Sequence, residues 1–185
     1  NNLAPYWIEY YFKNDNYYKI NGRPVFGIYS IDTFVKKTEK SGGKAQDCID
    51  ALKRFREMCV EAGVGEPIII GGGTTINGEV VAEGSQPYWL GGSTAFVERA
   101  YAGSKATKAE NNGTMYVPAM GPGIVDNGKS AFISPSEFQE QLIEYRDGFF
   151  KTNNSGSPLD NMLMLETYDE YSEGHWLAPS AMYGF

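Results

Sequence analysis

The chain reads as an α/β protein with parallel strands. Short apolar runs alternate with amphipathic helical stretches, and each clear run is closed by glycine or polar residues. The last run breaks abruptly into carboxylates and aromatics: Leu163-Met164-Leu165-Glu166-Thr167-Tyr168-Asp169-Glu170-Tyr171-Ser172-Glu173-Gly174-His175-Trp176. A buried strand that ends in an active site has this form, because α/β folds bind ligands beyond the carboxyl ends of their strands.

Residues 5–13 are aromatic-rich and read as the end of a helix. Asn21-Gly22 then turns the chain into Pro24-Val25-Phe26-Gly27-Ile28-Tyr29, a short buried strand. Over residues 44–62, Cys48, Ile49, Leu52, Phe55, Met58, Cys59 and Ala62 recur at three- and four-residue steps, giving a helix with one apolar stripe that Gly63 stops. Pro67-Ile68-Ile69-Ile70-Gly71 is the clearest strand, and strand, helix, strand in this order implies a right-handed crossover between parallel strands. Residues 72–114 are rich in Gly, Ser, Thr and Asn, with order hinted at only by Val80-Val81 and residues 96–101. They are expected to form long rim loops with one more short strand.

Residues 115–120 form a fourth strand candidate, and Gly121-Pro122-Gly123 a turn. Ser134, Pro135 and Glu137 then spell a capped helix start, with Ser134 as N-cap and Glu137 closing the capping box. That helix runs to about residue 150 with Phe138, Leu142 and Tyr145 on its apolar face. A polar loop over residues 153–158 returns the chain to a strand at residues 162–165. Four or five parallel strands do not close an eight-stranded barrel, which typically takes about 250 residues. Either the sheet is open or part of a barrel lies elsewhere.

At 185 residues, 42% hydrophobic and 21% charged, the chain suffices for one domain with a real core. A net charge of -7 argues against nucleic acid or an anionic membrane as partner, since both reward clustered Lys and Arg. A neutral or weakly charged ligand fits better. Thirteen Tyr and three Trp, many beside Gly or Asn, offer rings that stack on sugars, although core packing accounts for most rings in a fold of this kind. Cys48 and Cys59 lie three turns apart on one helix, roughly 16 Å, which excludes a disulfide between them. The sequons at Asn112 and Asn153 are compatible with secretion but arise easily by chance. No apolar run reaches a membrane-spanning length and no signal peptide is present. The chain begins at Asn1 rather than Met, which points to a natural amino terminus that was removed or never belonged to this piece.

Glu170 and Glu173 carry the chemistry. Three residues apart, they point to opposite faces of an extended strand, whereas a turn at Tyr171-Ser172 lets them converge to about 5–6 Å. That approaches the spacing at which two carboxyl groups divide acid and base roles across a glycosidic bond. In a partly dry pocket each disfavours the other's second charge, so one is held as acid and one as base. The alternatives are a solvated acidic pair and a calcium site built with Glu166 and Asp169, for which EF-hand spacing is missing. His175, the only histidine, has no Gly-x-Ser-x-Gly turn to serve and no zinc partners, so it is either a hydrogen-bond donor to substrate or a packing residue. Gly71-Gly72-Gly73-Thr74-Thr75 follows a strand but lacks the spacing and Lys of a phosphate loop. No metal or cofactor is called for.

Asp169-Glu170-Tyr171-Ser172-Glu173-Gly174-His175 resembles the Asn-Glu-Trp-x-Glu-Gly segment of glycoside hydrolase family 99 and its WbsX-type relatives of polysaccharide loci. Two further stretches agree in order. Tyr18-Lys19-Ile20-Asn21-Gly22-Arg23-Pro24-Val25-Phe26-Gly27-Ile28-Tyr29 is similar to the segment entering the family's fourth strand. Val117-Pro118-Ala119-Met120-Gly121-Pro122-Gly123-Ile124-Val125-Asp126-Asn127 is similar to its Pro-x-x-Gly-Pro-Gly segment after the seventh.

The resemblance implies a (β/α)8 barrel of the TIM type, of which residues 1–185 are the carboxyl-terminal portion, strands four to eight. The amino-terminal strands would come from the rest of the protein or from another chain. It also implies a metal-free, retaining, endo-acting α-mannosidase chemistry on a glycan or polysaccharide. In it, Glu170 is the general base on the substrate 2-hydroxyl and Glu173 the general acid, and Tyr29, Asp126, Asn127, Tyr168, His175 and Trp176 contact sugar. A glycan substrate favours a secreted, periplasmic or cell-surface location. Asp169 stands where the family has Asn, Tyr171 where it has Trp, Ile124 where the α-mannosidase branch has an aromatic residue, and Lys129-Ser130 lacks its Arg-rich continuation, so the sugar can differ. The alternatives are a glycan-binding protein without turnover on the same scaffold and a polysaccharide-biosynthesis protein. A glycosyltransferase would need a sugar-donor site that these residues do not contain.

Overall fold

A computed structural model describes residues 3–85, 115–117, 119–120, 123–126, 129–132, 134–152, 156–165, 169–170 and 175–176. The chain divides into two compact units, residues 1–85 and 86–185.

The first unit opens with helix α1, Ala4–Trp7, which widens into a π-helical turn at Ile8–Phe12. Ala4, Ile8 and Phe12 recur every four residues and are buried together. A hairpin follows, β1 at Lys19–Ile20 and β2 at Arg23–Ile28, with Lys19 opposite Pro24. Asn21 (φ 52°) and Gly22 (φ 77°) adopt the left-handed conformation that a two-residue turn between twisted strands requires, as their sequence announces.

Helices α2, Ile31–Lys40, and α3, Ala45–Glu61, then lead to β3, Ile68–Gly71. β3 pairs in parallel with β2, Val25 against Ile68 through Ile28 against Gly71, and is buried along its whole length. Parallel strands are covered on both faces, which is why β3 is a run of isoleucines without alternation. The α3 stripe is buried at Cys48, Ile49, Leu52, Phe55 and Cys59, while Ala62 caps the helix in an exposed position and falls outside it. Trp7, Phe12, Phe26 and Phe55 form one aromatic knot, with Phe26 and Phe55 centroids 5.0 Å apart and Trp7 and Phe26 4.9 Å apart, and so fasten α1, β2 and α3 together. Several tyrosines of the unit, Tyr6, Tyr10, Tyr11, Tyr18 and Tyr29, remain exposed.

Residues 72–85 are more ordered than their composition suggests. β4 (Thr75–Ile76) and β5 (Glu79–Val80) make a second hairpin, and β6 (Gly84–Ser85) pairs in parallel with β3. The Gly71-Gly72-Gly73 run serves packing. Gly72 N–H donates to Ile28 O, Gly72 O accepts from Ile31 N–H, and a Cβ on Gly72 would collide with the Tyr29 carbonyl oxygen.

A charged clamp closes the amino-terminal end of this sheet. Arg56 grips Glu83 through both guanidinium nitrogens, at 2.8 and 3.0 Å, and also donates to the carbonyls of Pro67 and Val81. Glu83 accepts in turn from Ile69 N–H at 2.8 Å and from Arg23 at 3.2 Å. The carboxylate thereby satisfies a buried strand amide as well as two cations.

Both cysteines are free and buried. Burial pushes the Cys59 thiol up to about 11 from 9.0, partly offset by Arg56. A folded-state pKa above the unfolded one means that the neutral thiol contributes stability fully below pH 9, and that this contribution fades as pH rises toward 11. Iodoacetamide at pH 8 is therefore expected to leave Cys59 unmodified until denaturant is added, with partial reaction and a lowered Tm emerging above pH 9. Peptide mass mapping reads the first and a pH series of melts the second. Rapid alkylation of the native protein at pH 8 would contradict the placement.

In the second unit, β7 (Met115–Tyr116) and β8 (Ala119–Met120) occupy the stretch expected as one strand, with the buried Val117 after β7 and Pro118 outside the described residues. Gly123, expected in a turn, instead begins β9, Gly123–Asp126, which forms a hairpin with β10, Lys129–Phe132. Gly121 and Pro122 lie outside the described residues. Helix α4, Pro135–Glu144, starts as its sequence dictates: Ser134 Oγ accepts from Glu137 N–H at 3.2 Å, and the Glu137 carboxylate accepts from Ser134 N–H. This hydrogen bond holds the Glu137 carboxyl below its ordinary range.

The helix continues through a π turn, Tyr145–Phe149, to Phe150–Thr152. Its buried face is Gln141, Tyr145 and Phe149, whereas the expected Phe138 and Leu142 are only half-buried. Gln141 is 1% exposed, and neither of its amide atoms has a hydrogen-bond partner among the described residues. β11 is Met164–Leu165, shorter than expected and less buried, with Leu165 51% exposed. It pairs in parallel with β8.

Candidate functional site

The parallel pair β8 and β11 sets Met164 opposite Ala119 and Leu165 opposite Met120. Parallel pairing brings both carboxyl ends to one edge, so the segments that follow the two strands leave from the same side. One is the β9–β10 hairpin. The other, after residues 166–168, is a hairpin of β12, Asp169–Glu170, and β13, His175–Trp176. β13 lies against β9, so the two hairpins meet. This side of a parallel sheet is where α/β folds place their chemistry.

Within the second hairpin, Glu170 and His175 share one rung and Asp169 and Trp176 the next. Residues 171–174, Glu173 among them, lie outside the described residues, as do Tyr168 and Asn127. Asp126 ends β9 and stands opposite Lys129 across the first hairpin. Asp126, Glu170, His175 and Trp176 thus fall on two touching hairpins.

Tyr29 belongs to the first unit. It follows β2 at the carboxyl end, is 64% exposed, and stands at the wall of a cavity of about 530 Å³ lined chiefly by Trp7, Phe26, Ile28, Phe34, Leu52 and Phe55. Among the described residues no group of three or more metal-ligating side chains converges, and no helix is long and apolar enough to cross a membrane.

Pattern reading missed the β9–β10 hairpin. The signal was present, since Asn127-Gly128 are the two residues between the paired Asp126 and Lys129, a pair of residues that favours tight hairpin turns.

No protein-family model matches the chain, and no curated protein does. Solved structures do. A glycoside hydrolase-like protein superposes with a TM-score of 0.56 at 18% identity over 91% of this chain and 50% of its own. The GH99 endo-α-mannosidase from Bacteroides thetaiotaomicron gives 0.52 at 18% identity, over 98% and 54%. A structure of the GH99 endo-α-mannosidase in complex with bis-tris propane gives 0.53 at 16% identity, over 96% and 54%. The chain spans about half the length of these structures, and at such identities what it shares with them is an α/β fold.

Proposed function

We propose that this chain carries the carboxyl-terminal half, strands four to eight, of a glycoside hydrolase barrel that cleaves internal glycosidic bonds of a glycan or polysaccharide with retention. The observation that carries the reading is the hairpin of Asp169, Glu170, His175 and Trp176, which leaves the carboxyl end of a parallel strand pair in an α/β fold shared with a glycoside hydrolase-like protein. A hairpin whose sequence carries carboxylates, a histidine and a tryptophan suits a sugar, whose hydroxyls accept and donate hydrogen bonds and whose C–H faces stack on rings.

The chemistry assigned to the pair proceeds in two displacements. Glu170 takes the proton of the 2-hydroxyl as that oxygen attacks the anomeric carbon, and Glu173 gives its proton to the departing glycosidic oxygen. Water, deprotonated by Glu173, then opens the anhydro-sugar, and Glu170 returns the proton to O2. Two inversions give net retention. Each carboxyl ends the cycle as it began, so no metal or cofactor enters. Asp126, Asn127, Tyr168, His175 and Trp176 are assigned to the sugar, with Tyr29 at a further rim position.

An α-mannoside is the first substrate to test. Asp169, Tyr171 and Ile124 depart from the motif of the α-mannosidase branch, which supports a different hexose as the second and a site that binds glycan without turnover as the opposing reading. The test is release of new reducing ends from α-mannans and bacterial surface polysaccharides by the natural full-length protein. Fragments from internal cleavage support the proposal, whereas binding with no fragments released assigns the scaffold to recognition alone.

A further inference from the structure

One face of the first helix has no task in the fold. Ala4, Ile8 and Phe12 are the residues of α1 and its π turn that are buried in the core. Tyr6 lies midway between the first two and Tyr10 midway between the last two, so both rings stand on the opposite pole, 51% and 64% exposed. Tyr11 is 48% exposed beside them. The three rings touch, with Tyr6 and Tyr10 centroids 4.7 Å apart and tilted by 39°, and Tyr6 and Tyr11 6.0 Å apart edge to face. The charges of the same stretch, Glu9 and Lys13, neutralise each other in a 2.6 Å pair.

In a (β/α)8 barrel the helices are the outermost ring, so no further element of the barrel lies beyond this pole. At roughly 150–250 Å² for an aromatic side chain, the three rings together present about 300 Å². A patch of about that size on a monomer is often functional, and it is less than half of the roughly 800 Å² that each member of a stable dimer buries. That disfavours a second copy as the occupant. With Lys13, the one cation of residues 4–13, already paired, the face does not suit nucleic acid, an anionic membrane or an acidic glycan. What it presents is ring faces and phenolic hydroxyls, which match the C–H faces and hydroxyls of a neutral sugar.

We propose that Tyr6, Tyr10 and Tyr11 form a second, non-catalytic binding surface for a neutral polysaccharide on the outer face of α1, distinct from the residues assigned to cleavage. Its ligand rests on the glycan reading above and its outward position on the barrel reading. Such a surface holds a polymer on the protein between cuts, and a short oligosaccharide gains nothing from it.

Affinity electrophoresis of the natural full-length protein on ice, through gels cast with α-mannan, with a neutral β-glucan or with neither, tests it. Retardation by at least one polymer is expected, at least about tenfold weaker in Tyr6→Ala/Tyr10→Ala and kept in Tyr6→Phe/Tyr10→Phe, with all three proteins melting alike. Tyr10→Ala alone, at the most exposed ring, makes the same comparison with the least disturbance of α1. Equal retardation of the alanine variants, or none of the natural protein in either gel, overturns the proposal. So does a concentration-dependent dimer that the alanine variants lose, which assigns the face to a second copy. The gels read binding, so tyrosine-dependent retardation of a protein that cleaves nothing keeps this inference and removes the catalytic one, and cleavage by a protein whose retardation ignores the tyrosines does the reverse.

Discussion

Replacing Glu173 with Gln is expected to slow cleavage of an unactivated glycan by about 10²–10⁴-fold, and to spare only the first displacement, read as the burst of aryl release, of a substrate whose leaving group is already a good one. An amide of the same shape keeps the local packing but has no proton to transfer to the departing oxygen. An aryl leaving group needs none, so the first displacement recovers with it. Glu170→Gln is expected to lose a similar factor on both substrates, because the 2-hydroxyl still has to be deprotonated whatever leaves. Initial rates on a glycan and the burst of aryl release from an activated aryl glycoside, for the natural protein and both variants, resolve the split. Equal loss on both substrates for both variants would remove the division of labour, and full activity in either variant would remove that residue from the reaction.

The largest stability effect is expected at Glu83. Glu83→Ala removes the acceptor of Ile69 N–H in a fully buried strand and leaves Arg56, whose side chain is only 18% exposed, with no carboxylate but the well-exposed Glu66 at 3.3 Å. Losing one member of a partly buried, hydrogen-bonded ion pair costs about 2–4 kcal/mol, because the desolvated partners keep their penalty and lose their compensation. For a chain of this size that lowers Tm by roughly 5–15 °C. The comparison is Glu79→Ala, which breaks the 2.7 Å pair with Lys53 between two well-exposed side chains and is expected to cost under about 1 kcal/mol. Thermal melts of the two variants side by side decide it. Equal, small losses would show that the clamp contributes no more than a surface pair.

The elements that could be read from residues alone are those whose signals are local. The isoleucine run of β3, the Asn21-Gly22 turn and the Ser134 capping box each depend on a few neighbours, and each is formed as its residues specify. Helix α2 went unread although Ser30 caps it by accepting from Thr33 N–H and Ile31, Phe34 and Val35 pack on the core at helical spacing, because residues 36–40 are polar throughout and the stripe spans only the first turns. On the face of α4 and its continuation Tyr145 is buried as its spacing implies, whereas Gln141 went unread because a buried polar residue leaves no mark in an apolar pattern.

For the site, the composition of residues 169–176 marked a place where chemistry concentrates. Whether two glutamates three apart meet depends on the backbone between them, which spacing does not encode. The described hairpin sets His175 across from Glu170, and Glu173 lies outside the described residues.

The most direct test of the catalytic proposal is the stereochemistry of the first product. Proton NMR taken during the opening minutes of a reaction, before mutarotation, is expected to show the newly freed anomeric centre with the configuration of the bond that was cut. A product formed with the opposite configuration would contradict the two-displacement chemistry of Glu170 and Glu173, and an unchanged spectrum on every glycan that the protein binds would contradict hydrolysis altogether.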